Sequence, residues 1–334
     1  MSQAPPDPDT QKTLLRELLA CVSEELGRVD QRLKAELRHD DPFIDDLAQH
    51  SFRIGGKRLR PALLLLAGQA VGELNDDHVT LATVVEMVHT ATLVHDDVLD
   101  EASVRRHAAT VNARWGNVSS VLLGDYLFTH AFYLASTLET TFGCRTIGQA
   151  TNLVCEGELR QTASIGNFWL SREDYLEIID AKTASLCSCS CRLGAHYAGA
   201  KQEDVDRFAR FGTALGVAFQ IADDVLDLEG VESTAGKSLG TDLTNHKMTL
   251  PLIHLRDKLP SERRGLLQEL LEQPTAENRQ RLSAWLGEHG SLDHARGVAV
   301  QYAEQAVAEL KDLPESEAKT SILQLTHFAA VRST

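Results

Sequence analysis

The stretch His89-Thr90-Ala91-Thr92-Leu93-Val94-His95-Asp96-Asp97-Val98-Leu99-Asp100 closes a long apolar run on three carboxylates. In the second half of the chain, Phe219-Gln220-Ile221-Ala222-Asp223-Asp224-Val225-Leu226-Asp227 repeats the device. Both runs carry apolar residues at helix spacing. Residues four apart on a helix share a face, so Asp96 and Asp100 project together, as do Asp223 and Asp227. Asp97 and Asp224 point about 100° away from those faces. Crowded carboxylates repel one another and add nothing to fold stability. Two such clusters imply two acidic faces meeting across a cavity. That donor set suits a hard divalent cation which takes oxygen ligands and keeps water, above all Mg²⁺ bridging to a substrate phosphate. Two solvated helix faces are the alternative, and the flanking apolar residues oppose it.

Outward from these clusters the same periodicity continues. Segments 13–38, 43–51, 60–73, 78–98, 117–138, 145–163, 172–199, 203–227 and 247–258 read as helices. Residues from about 261 to 331 read as shorter helices broken at Pro274, Gly287, Gly290 and Pro314. No run of alternating strands stands out. Residues 1–10 are rich in Pro and Asp and read as a disordered tail. No Pro/Gly/Ser linker divides the remainder, so residues 11–334 are expected to form a single all-α domain. A helical bundle with a central cavity fits, because bundles build metal sites from facing helices.

Of 334 residues, 43% are hydrophobic and 24% charged, the composition of an ordinary folded protein rather than a disordered one. The formal net charge of −15 argues against nonspecific nucleic-acid binding, which needs a basic footprint. Six cysteines show no disulfide framework. Cys187-Ser188-Cys189-Ser190-Cys191 lacks the spacing of a zinc site and reads as small residues at a close helix contact. A reducing, cytoplasmic setting is expected. The N-terminus has no signal-peptide pattern. The longest apolar stretch, near Pro61 to Gly72, is too short to span a bilayer.

In order along the chain stand Gly55-Gly56-Lys57-Arg58-Leu59-Arg60-Pro61, the first Asp cluster, Arg105-Arg106, Gly124-Asp125, Gly157-Glu158 with Gln161, and Lys182-Thr183. The second Asp cluster, Gly236-Lys237 and Lys247-Met248-Thr249-Leu250-Pro251 complete the set. Each motif alone is weak, but the ordered set is specific and covers most of the chain. It resembles the long-chain branch of the trans-type polyprenyl diphosphate synthases, the hepta- and octaprenyl group, with the isoprenoid-synthase helical bundle. The resemblance implies a prenyltransferase: an allylic diphosphate ionises, isopentenyl diphosphate attacks the carbocation, and a proton is lost. It implies Mg²⁺, three ions per active site, held by Asp96, Asp97, Asp100, Asp223, Asp224 and Asp227. Arg105, Lys182, Lys237 and Lys247 would surround the allylic diphosphate with fixed positive charge. Thr183 and Gln220, acting with Lys182, would face the cation. Lys57, Arg60, His89 and Arg106 would bind isopentenyl diphosphate, with Lys57 and Arg60 sharing a face at a helix start. Arg58 would be a support. The resemblance also implies a homodimer, and a long product implies transient contact with a membrane surface.

Product length should be read from the helix before Asp96, where one turn advances about 5.4 Å. Thr92, Ala91 and Val88 line the expected tunnel, and none is aromatic. The expected product is therefore about six to ten isoprene units at one per turn. Phe128, Phe132 and Tyr133 could still plug it, and otherwise read as core. Three departures from the family pattern are His246, where Gly usually precedes the lysine, His107, where Gly is common after the Arg pair, and the ending Ala330-Val331-Arg332-Ser333-Thr334, with one basic residue where some relatives carry a more basic tail. The competing readings are a geranylgeranyl diphosphate synthase of the same family, a class I terpene cyclase, and a non-catalytic regulatory subunit of a heteromeric synthase.

Overall fold

The computed structural model describes residues 8–53, 56–229 and 241–331. The chain begins with α1 (Pro8–Leu18), a 3₁₀ turn at Ala20–Val22, α2 (Ser23–Glu36), α3 (Pro42–Arg53), α4 (Leu59–Gln69) and α5 (Asp76–Leu99). A hairpin of β1 (Val104–Arg105) and β2 (Ala108–Ala109) follows, then α6 (Val111–Ser136) and α7 (Phe142–Ala163). α8 (Arg172–Ile179) runs through a π-helical turn at Asp180–Ala184 into α9 (Ser185–Tyr197), and α10 (Gln202–Glu229) is next. The chain ends with α11 (Thr241–Thr244), α12 (Leu250–Lys258), α13 (Ser261–Glu272), α14 (Ala276–Glu288), α15 (Ser291–Glu309) and α16 (Glu317–Val331).

The all-α expectation holds, with four corrections. The tail expected over residues 1–10 gives way to helix at Pro8, since proline tolerates the first helical position. Segment 13–38 is interrupted by the 3₁₀ turn, and segment 172–199 by the π turn. Gly287 breaks nothing, because α14 runs on to Glu288. The small hairpin is the one strand pairing among the described residues. Its register pairs Val104 with Ala109 and Arg105 with Ala108. Arg106 and His107 form the connection with φ of 51° and 63°, the two left-handed positions of a tight hairpin turn.

Two cores meet along α10. One is built from α1–α7, α9 and α16; the other from α8 and α12–α15. α4 is apolar all round and buried from Pro61 to Gly68, so it forms the centre of the first core. It packs on α9 through Gly194, where an added Cβ would lie 1.9 Å from the Leu64 carbonyl oxygen. Backbone cannot yield as a side chain can. Gly194→Ala is therefore expected to cost about 3 kcal/mol, the upper end for overpacking, read as a lower urea midpoint. Gly27, in α2 with nothing within 4 Å of an added Cβ, is the control. Gly27→Ala should stabilise by about 0.5–1 kcal/mol.

The cysteine run lies on α9, with Cys187, Cys189 and Cys191 all buried. Gly212 of α10 brings its backbone against the Cys187 carbonyl, so the small-residue reading holds. Burial pushes the Cys189 thiol up to about 12, which leaves it inert.

Candidate active site

Both Asp clusters sit in the last turns of their helices, α5 and α10. A helix C-terminus carries partial negative charge, so carboxylates there are electrostatically misplaced unless cations answer them. The answer comes from across the molecule. Lys247 Nζ donates to Asp100 Oδ1 at 3.0 Å, and Asn245 Nδ2 donates to the same oxygen at 3.0 Å. Asp227 Oδ2 accepts the Asp242 backbone N–H at 3.1 Å. The segment after α10 thus ties the second cluster to the first.

The six aspartates divide by environment. Asp97 is buried and accepts Arg105 Nε at 2.8 Å. Asp224 is buried too, accepting the Tyr175 hydroxyl at 2.6 Å and Gln220 Nε2 at 2.7 Å. Burial, and next the nearby Asp242, hold Asp224 well above the usual carboxylate range. Asp97 and Asp224, which the helix period turns about 100° off the acidic faces, accept from protein donors, which suits a supporting place in the metal set. Asp96, Asp100, Asp223 and Asp227 are only half-buried. Burial pushes Asp96 up to about 6; Lys182 opposes this, and Glu158 and Asp100 add to it.

Asp242 is a carboxylate the sequence reading missed. Burial, then repulsion from Asp227, pushes it up to about 6, while Lys247 pulls it down. It sits on the one-turn helix α11, which is too short to show periodicity. Glu158 was quoted only as part of a motif, and it forms an ion pair with Lys182.

Lys182 and Thr183 lie in the π turn, a distortion common at functional sites. Gly157 of α7 and Gly216 of α10 let their helices close on it: a Cβ on Gly157 would meet Lys182 N at 2.5 Å, and one on Gly216 would meet Ala184 Cα at 2.5 Å. Thr183 Oγ1 donates to Gln220 Oε1 at 2.8 Å. A chain Thr183–Gln220–Asp224–Tyr175 results, which fixes the Gln220 amide with its oxygen toward Thr183.

The basic residues collect about two to three turns earlier along α5, at His89 and Glu86. Arg60 Nη1 donates to His89 Nε2 at 3.1 Å, so the imidazole is neutral with its proton on Nδ1. Burial, then Arg60, Arg106, Arg105 and Arg58, holds His89 well below the usual histidine range. The Arg106 guanidinium lies against Gly56, where a Cβ would come within 2.8 Å of it. Arg60 Nε is buried with no hydrogen-bond partner, an unanswered donor in a positive pocket. One expectation fails here. Lys57 does not share a helix face with Arg60, because α4 starts only at Leu59 and Arg58 adopts φ 54°. The reason is Arg58 itself. It turns inward, over the Phe52 ring at 4.3 Å, and donates to Glu86 at 2.6 Å and Asp30 at 2.9 Å. Lys57 is left exposed.

Lys247 is not displaced by the preceding histidine. His246 takes φ 51° and is held on both sides: its carbonyl accepts the Gly166 N–H at 3.1 Å, and Nδ1 bonds the Leu271 carbonyl at 3.2 Å. Lys237 lies outside the described residues. Ala91 and Val88 are fully buried, and Thr92 bonds its hydroxyl to the His89 carbonyl at 2.7 Å. Phe128 and Phe132 pack at the core edge, whereas Tyr133 is 63% exposed and so is not core.

Among the described residues, no three His, Cys, Asp or Glu side chains form a ready-made metal cage. Mg²⁺ in phosphate sites needs none, since one or two carboxylates, waters and the substrate complete its shell. The open, crowded, oxygen-only face of Asp96, Asp100, Asp223 and Asp227 fits that ion. Two features are thus in place: an acidic face for a metal-bound anion, and a basic pocket for a second anion.

The family model Polyprenyl synthetase matches residues 41–286. An octaprenyl diphosphate synthase of Haemophilus influenzae is 36% identical over 318 residues, covering 95% of this chain and 97% of its own. A nonaprenyl diphosphate synthase of Mycobacterium tuberculosis is 38% identical over 318 residues, covering 94% of each chain. The solved structure of a Caulobacter crescentus polyprenyl synthase, complexed with calcium and isoprenyl diphosphate, superposes with a TM-score of 0.91 at 32% identity over 100% of both chains.

Proposed function

The chain belongs to the polyprenyl synthetase family, and from that premise we propose that it condenses isopentenyl diphosphate head to tail onto an allylic diphosphate, building a trans-polyprenyl diphosphate of C30–C50. It is a prenyltransferase. One observation carries the reading. Two anion sites of opposite character lie on one helix: the basic pocket at His89, and the acidic face starting at Asp96 about 10 Å further along α5 at 1.5 Å per residue. Long-chain synthases among the relatives favour this product over C20.

The chemistry follows from the residues. The allylic C–O bond breaks and its electron pair leaves with the diphosphate. Asp96, Asp100, Asp223 and Asp227, with Asp242, would hold Mg²⁺, which when bound neutralises the leaving group as a Lewis acid. Lys182, Lys247 and Arg105 add fixed positive charge around the same oxygens, so no reorganisation is needed at ionisation. Lys237 belongs with them by motif. Thr183 and Gln220 present oxygen dipoles toward the cation, held in place by Asp224 and Tyr175. Arg60, Arg106, His89 and Lys57 bind the second diphosphate and aim its double bond. The departed diphosphate accepts the proton that is lost.

Support for a homodimer comes from the outer face of α6 and α7, where Val118, Leu122 and Leu159 are exposed. No helix among the described residues is long and apolar enough to cross a membrane. A long polyprenyl product would bring the protein into transient contact with a membrane surface during release.

Glu86→Gln tests the pocket's support. Glu86 is 2% exposed and answers Arg58. Its loss should cost about 2 kcal/mol, less than a fully unpaired buried charge because Asp30 remains. It should also raise KM for isopentenyl diphosphate about tenfold with kcat little changed, since only ground-state binding of that anion is disturbed.

The function itself is tested by incubating the protein with Mg²⁺, isopentenyl diphosphate and farnesyl diphosphate and reading products by mass spectrometry. A ladder ending within C30–C50 supports the reading. A stop at C20 would place the floor nearer Asp96. No elongation with any allylic primer would leave the regulatory-subunit reading in its place.

A further inference from the structure

Outside the acidic face, α8, α12 and α15 meet at a cleft of about 340 Å³ whose walls include the exposed Arg172, Asp257 and Lys258 and the half-buried His254 and His294, with buried Leu250 among its lining. Its contents are unusual for packing alone. The His254 and His294 rings stack at 4.0 Å and 14°. His254 Nδ1 is fixed by the fully buried Ser291 Oγ at 3.0 Å. Asp257 is occupied by Arg256 at 2.8 Å, which leaves the cleft's charge to Arg172 and Lys258. Two helices, α8 and α15, begin at this cleft, and their first turns carry Glu173 and Asp174, and Asp293, so the helix starts are already answered and the two cations must hold the anion. No three His, Cys, Asp or Glu side chains among the described residues are arranged for a cation.

We propose that this cleft is a binding site for a small phosphate-class oxyanion, gripped by Arg172 and Lys258 and closed by the His254–His294 pair. The imidazoles are neutral when the cleft is empty. Burial, then His294 and Lys258, pushes His254 down to about 4, with His289 adding and Asp257 opposing. Burial, then Arg172 and Lys258, lowers His294. Asp293, the other charged group at this helix start, is engaged by Arg296. A bound dianion offsets the two cations and lets the pair take up a proton from solvent, so binding tightens as pH falls. The site also has a place in the fold's logic. Arg172 is at the far end of the element that carries Lys182 and Thr183. Lys258 is at the far end of the helix that follows Lys247. An anion joining them braces both.

The test uses the full chain with isotope-labelled histidine in Mg²⁺-free buffer. Sulfate is the first probe, because its charge does not change across this pH range. Saturable shifts of the His254 and His294 ring signals are expected, with an apparent pKa rise of about one unit or more. Affinity should weaken several-fold between about pH 4 and 6, the window in which a His254 pKa of about 4 rises by about one unit. The Arg172→Ala, Lys258→Ala double variant should lose the response while prenyl transfer stays within about twofold of the parent rate. Inorganic diphosphate should compete with sulfate. No saturable shift, or a shift that survives in the double variant, overturns the proposal. So does binding of anionic phospholipid vesicles through these residues without response to the free anions.

Discussion

Asp96→Asn is expected to slow prenyl transfer by about 1,000- to 100,000-fold, equivalent to about 4–7 kcal/mol, while making the metal-free protein more stable. The two effects have one cause. Asp96 sits at a helix C-terminus, partly buried and facing Glu158 and Asp100, and its carboxyl is pushed up to about 6 from an ordinary 3.8. A carboxyl whose folded pKa is raised holds its proton more tightly folded than unfolded. Stability therefore falls as pH rises from about 4 to 6, and the full penalty stands at neutral pH, at most about 3 kcal/mol. Asn carries no charge and escapes the penalty. It is also a far poorer ligand for a hard cation. Mg²⁺ should raise the melting temperature of the parent and not of the variant, because only a state that binds the ion is stabilised by it. An Asp96→Asn protein with parental kcat would remove the carboxylate from the chemistry.

Asp224→Asn escapes a penalty of the same kind, since burial and Asp242 raise this carboxyl too, but here lost hydrogen bonding opposes the relief and outweighs it. Its carboxyl accepts from both Tyr175 and Gln220, so the amide NH₂ must face one of these donors. A lost buried hydrogen bond costs about 1–3 kcal/mol, and the Gln220 amide loses its anchor. The urea midpoint should fall, with a rate loss far smaller than that of Asp96→Asn. Six aspartates that look alike in the sequence thus separate into half-buried, repelling groups and buried, satisfied ones.

That separation was half legible in the sequence. The four-residue spacing put Asp96 with Asp100 and Asp223 with Asp227, and turned Asp97 and Asp224 aside. What Asp97 and Asp224 turn toward was not legible, because Arg105 and Tyr175 come from other elements. Asp242 left no trace, since a one-turn helix has no period. The π turn at Asp180–Ala184 was read as continuous helix, as a single wide turn shifts an apolar pattern by only one position. Arg58 misled for a related reason. Spacing assumed a helix from Lys57 onward, while burial of Arg58 against Glu86 set a left-handed residue there instead. His246 was visible as an oddity, but only its φ of 51° explains why glycine is the easier choice.

Ala91→Phe is expected to shorten the product to no more than about four isoprene units, and its stability readout decides whether Ala91 lines a tunnel. Ala91 is five residues before Asp96, about 7.5 Å along the helix axis, and Val88 is one turn further back. Both are fully buried, and burial alone does not distinguish a tunnel wall from packed core. The two cases respond differently to a benzyl group. In a packed core the ring has no room, and overpacking costs about 1–3 kcal/mol while products stay long. Facing an open path for the growing chain, the ring occupies that path, the urea midpoint stays near the parent's, and elongation stops at it. Val88→Phe then serves as a ruler. One turn advances about 5.4 Å, close to one extended isoprene unit, so its product should be one unit longer than that of Ala91→Phe. Products of equal length from the two variants, or long products with lowered stability, would place the growing chain along another helix.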